Sequence, residues 1–475
     1  MARGSKAPVI IEGVRIEKVA AEGKCIGYLP DEKVVFVPFT APGDIVDIRL
    51  GRRRKSYAEG VVHQMVEPSP HRVEPRCEHF GVCGGCKWQH LPYALQLESK
   101  EQQVYDQLER IGKLSIQEKR AIIGANHIYE YRNKLEYAFS NKRWLTENEV
   151  QTEEEYNDPQ VISGLGFHIP GRFDKVLDIH QCHLQVDVTN RIRRFVKSYC
   201  LTHEGYPFFN VRTKEGFMRN LMVRTTQDGK VMLVVIFGED QEELRNNLLE
   251  AIRNEFPEIT SLMYVINEKL NDTYGDLEVH LYAGEDHVWE EMEGLKYKIG
   301  PKSFYQTNSE QALRLYQEVR KLAQLSGGEL VYDLYTGTGT IASFISRNAR
   351  KVIGIEYVPE AIEDAWVNAR VNNLDNVDFY AGDMKEILTD EFIAEHGVPD
   401  VLITDPPRAG MHPDVVKTIL KASPEKIVYV SCNPASQARD VALMSDAYEV
   451  LVAQPVDMFP HTHHVENILL LSKLN

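Results

Sequence analysis

The C-terminal part of the chain, from about residue 300, alternates short apolar segments with helix-like segments. The apolar segments include "ELVYDL", "KVIGIE", "DVLITD" and "KIVYV". A repeated strand–helix–strand pattern predicts a parallel sheet, because parallel neighbours need crossover connections. In an open α/β sheet, ligands bind beyond the carboxyl ends of the strands. The residues that directly follow these segments are therefore the candidate functional residues.

The first apolar segment continues into a glycine-rich turn. In "ELVYDLYTGTGTIA" a strand ends at Asp333, and Gly337 and Gly339 follow before a helix begins. Glycines let the backbone approach a ligand closely, and a carboxylate after the next strand, here Glu356, can bind ribose hydroxyls. This pattern predicts a nucleotide-type cofactor. Because Gly337, Gly339 and Ala342 also fit G-x-G-x-x-G/A, the loop alone leaves a dinucleotide such as NAD open.

Two further strand ends carry acidic residues. "FYAGDM" places Asp383 after a third strand, where it could meet an adenine ring, and "DVLITDPPRAG" ends a fourth strand at Asp405. A single carboxylate in such a place is more often a helix cap or a solvated group. Four acids in order at strand ends resemble class I S-adenosylmethionine-dependent methyltransferases. The resemblance implies a Rossmann-like methyltransferase domain over residues 300–475.

The fifth apolar segment ends in a cysteine. In "YVSCNP", Cys432 lies at the carboxyl end of the predicted strand, although a free cysteine is usually only a small buried hydrophobe. Carbon 5 of uracil attacks a methyl sulfonium only after a thiolate has added to carbon 6, and a base must then remove the carbon 5 proton. Glu466 in "DMFPHTHHVENILLL" is the candidate base. We interpret its three preceding histidines as a positioning loop rather than a metal site.

Five motifs together resemble the RNA uracil-5-methyltransferase family: "SFYQTN", "DLYTGTGT", "DPPRAG", "SCNP" and "FPHTHHVE". The resemblance covers nearly the whole chain and implies methyl transfer from S-adenosylmethionine to carbon 5 of a uridine in RNA. It implies that Cys432 is the nucleophile and Glu466 the base, that Phe304 lies near the target base and that Arg132 of "EYRNK" positions the RNA. The cofactor-binding residues that it implies are Gln306, Tyr335, Thr340, Glu356, Asp383 and Asp405.

Four cysteines form a candidate metal site. Cys77, Cys83 and Cys86 lie in "CEHFGVCGGC", and Cys182 in "IHQCHL" supplies a fourth thiol. Thiolates at C-x5-C-x2-C spacing suit an iron–sulfur cluster or a structural zinc ion, and the spacing alone does not choose. The family resemblance implies a [4Fe-4S] cluster, because the ribosomal RNA members carry one on this pattern.

Residues from about 9 to 66 alternate β-branched runs with turn signals, which predicts a small all-β barrel. This region resembles the TRAM domain, an OB-like RNA-binding module. The net charge of −16 argues against bulk attraction of RNA, so local basic patches must bind it. "RLGRRRKSY" is such a patch, and Arg52, Arg53 and Arg54 are its predicted RNA contacts; a solvated loop is the alternative. The barrel and the cysteine cluster together favour 23S ribosomal RNA over transfer RNA.

The predicted architecture is an α/β multidomain chain of three parts. Residues 1–68 form the TRAM barrel, 69–299 a central α/β domain with the iron–sulfur cluster, and 300–475 the Rossmann-like methyltransferase domain. A helix over about 92–112 is expected to pack on the catalytic domain, and the acidic segment 146–158 is an expected exposed insertion. Without a bilayer-length apolar run or a signal sequence, the expected location is the cytoplasm, with no membrane contact and no evident protein partner.

Three alternative functions remain open from the sequence. The first is uridine C5 methylation of transfer RNA rather than ribosomal RNA. The second is amino-group methylation of adenine at Asp405-Pro406-Pro407, although such enzymes place an aromatic residue where Arg408 stands. The third is a non-catalytic RNA-binding protein with a vestigial cofactor pocket. Intact Cys432 and Glu466, together with the unbroken glycine loop, weigh against the last two.

Overall fold

The computed structural model describes residues 8–145, 149, 152 and 158–474, so that most of the acidic segment predicted as an insertion lies outside the described residues. The N-terminal region is a closed barrel in which the strands follow the order β1-β2-β3-β5-β4. Its strands are β1 (Ile10–Val19), β2 (Lys24–Tyr28), β3 (Val34–Pro38), β4 (Ile45–Arg53) and β5 (Tyr57–Glu67). Alternate residues such as Val35 and Val37 fill the interior, as the two-residue period of a strand requires. The predicted barrel is confirmed.

Two elements within the range predicted for the central domain, residues 69–299, pack with the C-terminal sheet instead. They are α1 (Tyr93–Arg110) and β6 (Ile116–Lys119). Val104 and Leu108 of α1 pack into an apolar cluster with Leu402 and Ile427 of the C-terminal sheet. The same helix also buries two polar side chains, those of Gln96 and Lys100. The helix therefore brings polar groups, as well as apolar ones, to the interface with the C-terminal domain.

The central region is built on a seven-stranded sheet with the order β13-β12-β11-β10-β7-β8-β9. Its strands are β7 (Lys134–Ser140), β8 (Gly164–Ile169), β9 (Arg172–Asp178), β10 (Met218–Thr225), β11 (Val231–Phe237), β12 (Ile259–Ile266) and β13 (His280–Gly284). Its helices are α2 (Pro159–Ile162), α3 (Asp187–Thr202) and α4 (Glu242–Glu255).

Both faces of the central sheet are covered, which explains why β11 is apolar throughout. Leu233 and Val235 pack on one face in a cluster that includes residues of α3 and α4. Val234 and Ile236 point to the other face and join a cluster that continues into the C-terminal domain. The central and C-terminal regions thus share one continuous apolar core.

The C-terminal region is an eight-stranded sheet with the order β18-β17-β16-β19-β20-β22-β21-β6, preceded by a two-stranded hairpin of β14 and β15. The strands are β14 (Val288–Met292), β15 (Leu295–Ile299), β16 (Leu330–Leu334), β17 (Lys351–Glu356), β18 (Val377–Ala381), β19 (Val401–Thr404), β20 (Lys426–Ser431), β21 (Tyr448–Val456) and β22 (Glu466–Lys473). The helices are α5 (Ser309–Ala323), α6 (Thr340–Ser346), α7 (Pro359–Val371), α8 (Met384–Ile387), α9 (Asp390–His396), α10 (Pro413–Ala422) and α11 (Pro434–Ala442).

Strands β16 to β20 are parallel, as the sequence pattern predicts, and β22 is antiparallel to both of its neighbours. At the edge of the sheet, β6 adds in parallel to β21. Across the described part of the chain, none of the helices has the length and apolar character needed to cross a bilayer.

Candidate active site

The register of the C-terminal sheet brings the candidate nucleophile and base together. Strands β20 and β22 pair antiparallel, with Ser431 opposite Asn467. Continuing this register by one residue places Cys432 opposite Glu466, because partners in an antiparallel ladder move in opposite directions. Asp405 follows β19, which is the parallel neighbour of β20. The side chains of Cys432, Glu466 and Asp405 therefore lie next to one another at the same end of three neighbouring strands.

The glycine-rich loop after β16 closes tightly around Asp333. The Asp333 carboxylate accepts hydrogen bonds from the Thr336 hydroxyl at 2.5 Å and from the backbone N–H of Ala342 at 3.1 Å. A Cβ atom on Gly339 would lie 2.8 Å from the ring of Phe379, so the close approach requires glycine. The loop also holds Tyr335 in a left-handed conformation with φ 62°, a strained state that is common at ligand sites.

The other candidate cofactor residues surround this loop. Glu356 ends β17 and accepts from the backbone N–H groups of Gly337 at 3.1 Å and Val358 at 3.0 Å. Thr340 begins α6, and Asp383 caps α8 by accepting from the N–H of Lys385 at 3.1 Å. Asp383 thus has the helix-capping role that a single carboxylate often has.

Gln306 lies in the segment that links the hairpin of β14 and β15 to α5. Its backbone carbonyl accepts from the Asn133 side chain at 3.0 Å, and the N–H of Asn133 donates to Thr307 O at 2.8 Å. Asn133 adjoins β7, so the central domain anchors this segment. Phe304 lies in the same segment and is 71% exposed, leaving a free aromatic face.

Two carboxyl groups at the strand ends, those of buried Asp333 and half-buried Asp405, have no positively charged partner among the described residues. Burial raises the pKa of Asp333 to about 7, despite its hydrogen bonds, and raises the pKa of Asp405 to about 7, with the charge of Asp333 as a further cause. Neither forms an ion pair with a lysine, arginine or histidine among the described residues. A ligand with an ammonium and a sulfonium group, such as S-adenosylmethionine, would supply the missing positive charge. The residues present therefore fit that cofactor.

Cys432 and Glu466 also have strongly shifted pKa values. Burial raises the pKa of the Glu466 carboxyl to about 8, and the negative charge of Asp405 adds to the effect. Burial and the charges of Glu466 and Asp405 raise the pKa of the Cys432 thiol to about 11, while the Arg408 guanidinium opposes this shift. Among the groups facing the thiol, Arg408 is thus the one that stabilises its reactive thiolate form.

The loop between β21 and β22 connects the acid–thiol pair to α1. Within this loop, Asp457 forms a fully buried ion pair with Lys100, with 2.6 Å between Nζ and Oδ1. Gln96 accepts from the backbone N–H of His461 at 2.8 Å, and its amide nitrogen lies 3.2 Å from His461 Nδ1. A guanidinium nitrogen of Arg408 lies 2.8 Å from His464 Nδ1 and 3.4 Å from His464 Nε2, over the imidazole ring. His461 therefore contacts α1, whereas His464 contacts Arg408.

Arg132, the predicted RNA-positioning residue, lies close to this loop. Its N–H donates to Leu184 O at 2.8 Å and its Nε to Lys134 O at 3.0 Å. Its charge acts on both His464 and Cys182. None of the described carboxylates forms an ion pair with Arg132, so its positive charge is available to a phosphate.

The four predicted thiol ligands lie in one region of the fold, within electrostatic range of one another, and the charge of Arg132 acts on one of them, Cys182. Burial raises the pKa of all four, to about 11 for Cys83 and about 12 for Cys86, and charges among the thiols contribute at Cys77, Cys83 and Cys86. Backbone N–H groups stabilise the sulfur atoms of Cys77, Cys83 and Cys182. Among the described residues, no three of these sulfurs lie within 4.8 Å of one another, a wider spacing than thiolates bound to one zinc ion at about 2.3 Å would have, so the four thiols suit a multi-atom cluster better than a single ion.

The cysteine segment lies between the barrel and the catalytic loop. Phe39 of the barrel packs edge-on against Phe80, with ring centroids 5.6 Å apart. The backbone N–H groups of Lys87 and Trp88 donate to His461 O at 2.8 and 3.0 Å. The predicted RNA contacts Arg52, Arg53 and Arg54 are exposed at the end of β4 and in the turn after it, where Arg53 forms an ion pair with Asp31 at 3.4 Å.

Four residues of the site were not given these roles from sequence. Gln96 and Lys100 sit in a polar-looking helix, and their burial depends on a loop more than 300 positions away. In the sequence, Arg408 is visible only as a replacement for an aromatic residue, and His464 only as one residue of a loop. The adjacency of Arg408 to the strand-end acid in "DPPR" is the signal that could have assigned it.

Comparisons with known proteins identify the family. A family model described as tRNA (Uracil-5-)-methyltransferase matches residues 280–474, and a TRAM domain model matches residues 3–63. A protein of Bacteroides thetaiotaomicron described as an uncharacterized RNA methyltransferase is 59% identical and aligns over 95% of this chain and 99% of its own. The chain belongs to the RNA uracil-5-methyltransferase family. It is accordingly an S-adenosylmethionine-dependent RNA methyltransferase.

Two other relatives support the same assignment. A Porphyromonas gingivalis protein, also described as an uncharacterized RNA methyltransferase, is 57% identical and aligns over 96% of this chain and 99% of its own. The solved structure of a Pyrococcus abyssi tRNA (uracil-54, C5)-methyltransferase with S-adenosyl-L-homocysteine has a TM-score of 0.74 and 30% identity. It covers 97% of this chain and 100% of its own, so the three-region architecture is shared.

The raised pKa of Asp405 gives a testable effect on stability. The pKa of Asp405 is about 7 in the folded protein, compared with about 3.8 in the unfolded chain. Between these two pH values the folded protein keeps a proton that the unfolded chain has lost. The contribution of Asp405 to the free energy of unfolding therefore falls as pH rises from about 4 to 7. Asp405→Asn should therefore raise the melting temperature of the cofactor-free protein at pH 8, by on the order of 2 °C, and change it little near pH 4. Differential scanning fluorimetry measures both values. The exposed Asp375→Asn is the matched control, and a lower melting temperature for Asp405→Asn at pH 8 would contradict the assignment.

Proposed function

We propose that this protein methylates carbon 5 of a uridine in RNA through a covalent adduct between Cys432 and carbon 6 of the uracil. The observation that carries this proposal is the meeting of Cys432, Glu466 and Arg408 at the strand ends. Amino-group methylation of adenine needs no thiol, and the family membership also disfavours it. A non-catalytic protein would not require Asp333, Asp405 and Glu466 to be placed together beside the glycine-rich loop.

The chain's residues perform the proton transfers of this reaction. The Cys432 thiol loses its proton to solvent water, and the Arg408 charge stabilises the thiolate that results. The thiolate adds to carbon 6, and the electrons of the C5–C6 double bond make carbon 5 nucleophilic. S-adenosylmethionine supplies the electrophilic methyl group. The Glu466 carboxylate then removes the proton from carbon 5, and the electrons of that C–H bond re-form the C5–C6 double bond as the thiolate leaves. Because the Glu466 pKa is about 8 in the free protein, its ionised form increases as pH rises through that value.

RNA recognition in this proposal uses three groups of residues. Phe304 stacks on the extruded target base, since its ring is largely free and follows the segment of the cofactor site. Arg132 contacts a nearby phosphate. Arg52, Arg53 and Arg54 of the barrel contact further phosphates of the RNA. Such phosphate contacts need positive charge and do not need aromatic side chains. The reaction would take place in the cytoplasm.

We infer that the substrate is 23S ribosomal RNA, as the sequence resemblance to ribosomal members indicates. The competing substrate is transfer RNA, because the similar P. abyssi structure is described as a tRNA (uracil-54, C5)-methyltransferase. That structure is matched over 97% of this chain, so the presence of a barrel does not separate the two substrates. The cysteine cluster is therefore the feature of this chain that favours the ribosomal target.

We further propose that Cys77, Cys83, Cys86 and Cys182 hold a [4Fe-4S] cluster. The group would cross-link the segment that touches the barrel and the catalytic loop to the turn after β9. No proton transfer in the proposed reaction involves it. Its expected contribution is therefore to the stability of the central domain rather than to the chemistry.

The covalent adduct is the decisive test of the reaction. RNA with 5-fluorouridine at the target should be methylated once and then remain bound, because fluorine cannot leave as a proton. A protein–RNA complex should then survive denaturing gel electrophoresis. Cys432→Ala should abolish the adduct and turnover, whereas Glu466→Gln with ordinary RNA should methylate carbon 5 and accumulate the adduct. Cys200→Ala, a buried thiol in α3, is the control that retains both. Near-normal methylation by Cys432→Ala would refute the mechanism.

Mapping of modified uridines separates the two RNA substrates. Cells that lack the gene should lose one or more 5-methyluridines from 23S ribosomal RNA, detected by nuclease digestion and mass spectrometry, and regain them when the intact gene is restored. The gene with Cys432→Ala should not restore them. Loss confined to transfer RNA would overturn the ribosomal assignment while leaving the reaction unchanged.

The metal assignment predicts a colour and a stoichiometry. Protein purified without oxygen should be brown and contain about four iron atoms and four sulfides per chain. Cys83→Ser should lose the colour and lower the melting temperature, while Cys25→Ser, in the barrel, should keep both. If the purified protein contains stoichiometric zinc and no iron, the cluster assignment is wrong and the cysteines form a structural zinc site.

A further inference from the structure

The segment 303–308, which we call the cofactor segment, carries two residues of the site, Phe304 and Gln306, but belongs to no strand or helix. Other parts of the fold hold its first residue. The Ser303 hydroxyl donates to Asp364 of α7 at 2.7 Å, and a guanidinium nitrogen of Arg224 donates to Ser303 O at 3.1 Å. The beginning of the cofactor segment is therefore fixed to α7 and β10.

The end of the cofactor segment is fixed in a similar way. Asn308 caps α5 by accepting from the N–H of Gln311 at 3.1 Å, and its amide nitrogen donates to Met458 O at 3.0 Å. Between the two ends, the Tyr305 ring is buried in the apolar core. Apolar packing is not directional, so it holds the ring at depth without orienting the peptide groups beside it. The orientation of the Gln306 peptide therefore depends on hydrogen bonds.

Asn133 supplies these hydrogen bonds. Its side-chain nitrogen donates to Gln306 O at 3.0 Å and to Ser309 Oγ at 2.9 Å, and its backbone N–H donates to Thr307 O at 2.8 Å. Within the part of the chain that the structure describes, no other group hydrogen-bonds the backbone from Phe304 to Thr307. Because a carbonyl oxygen only accepts, Gln306 O identifies the atom that faces it as the amide nitrogen of Asn133.

Both sides of this contact are fixed. Asn133 is buried at the start of β7, and its carbonyl accepts from the N–H of Thr225 in β10 at 2.8 Å. Ser309 is the first residue of α5, and its hydroxyl donates to a carboxyl oxygen of the buried Glu290. The two hydrogens of the Asn133 amide are thus shared between the cofactor segment and the helix that follows it. They fix the orientation of the segment relative to α5.

We propose that Asn133 is a positioning residue for the cofactor: by donating to Gln306 O, it orients the Gln306 peptide so that the side chain of Gln306 can bind S-adenosylmethionine. A peptide that was free to rotate would present this side chain in several directions, and orienting it in advance reduces the entropy lost on binding. This role rests on the proposed methylation reaction and on the cofactor role predicted for Gln306. It acts on cofactor affinity and not on the proton transfers at Cys432 and Glu466.

Isothermal titration calorimetry with S-adenosyl-L-homocysteine measures this effect without RNA. Asn133→Ala removes both side-chain hydrogen bonds and keeps the backbone bond to Thr307, and it should raise Kd about 3- to 10-fold, as the loss of one hydrogen bond typically does. Asn133→Asp has nearly the same shape but lacks the N–H donors, so it should weaken binding at least as much even where Asn133→Ala packs poorly.

The matched control is Asn141→Ala. Asn141 directly follows β7, as Asn133 directly precedes it. Among the hydrogen bonds of the described residues, none joins Asn141 to the cofactor segment. Asn141→Ala should therefore bind S-adenosyl-L-homocysteine with the affinity of the parent protein.

A double-mutant cycle distinguishes the positioning of Gln306 from a general loosening of the fold. Gln306→Ala alone should raise Kd for S-adenosyl-L-homocysteine about 10-fold. Adding Asn133→Ala to Gln306→Ala should raise it by less than about 2-fold more, because the side chain that Asn133 orients is already absent. In steady-state methylation, Asn133→Ala should raise KM for S-adenosylmethionine and leave kcat within about 2-fold of the parent value.

The outcomes of these experiments are distinct. Unchanged binding by both Asn133 variants, or an equal loss of affinity from Asn133→Ala with and without Gln306→Ala, would overturn the positioning role. Normal binding by Gln306→Ala would refute the cofactor role of Gln306 and the positioning role with it. Failure of the proposed reaction is detected separately by the absence of the 5-fluorouridine adduct, because the binding of S-adenosyl-L-homocysteine requires neither RNA nor Cys432.

Discussion

The buried ion pair between Lys100 and Asp457 is the contact on which the geometry of the site depends. Both side chains are fully buried, and their charged atoms are 2.6 Å apart. Leaving one member of such a pair unpaired typically costs about 3–5 kcal/mol, so the two residues are strongly held together. Tyr93 adds a hydrogen bond to the second oxygen of Asp457 at 2.8 Å. The loop that carries His464 is therefore fixed to α1 by charge rather than by apolar packing alone.

The catalytic domain is discontinuous in sequence, because it includes α1, the helix that carries Lys100. Helix α1 and strand β6 are separated from β16 by the whole central domain, yet they complete the core and one edge of the C-terminal sheet. The cysteine segment leads directly into α1 and bonds the same loop through Lys87 and Trp88. The barrel contacts the cysteine segment in turn. These contacts connect the barrel to the active site through the cysteine segment. RNA bound to the barrel would thus have a defined position relative to the active site.

The sequence was informative where the signal is local. A strand followed at once by an acid or a thiol is visible in a few residues, so Glu356, Asp405 and Cys432 could be placed on strand ends before the structure was known. The pairing of Lys100 with Asp457 spans 357 positions, and no periodicity in either segment encodes it. A buried lysine in an amphipathic helix resembles a solvated one until its partner is located. For the same reason β6, four residues long, could not be assigned to the edge of a distant sheet.

The electrostatics of the site connect cofactor binding to the chemistry. Asp405 and Glu466 both have raised pKa values, and each is partly raised by another acid: Asp333 acts on Asp405, and Asp405 acts on Glu466. Positive charge near this series of acids lowers their pKa values and releases protons. Proton release on binding and tighter binding at higher pH are the same linkage seen from two sides. A cationic cofactor bound beside Asp333 and Asp405 would therefore alter the ionisation of the site that contains the base, before any RNA is present.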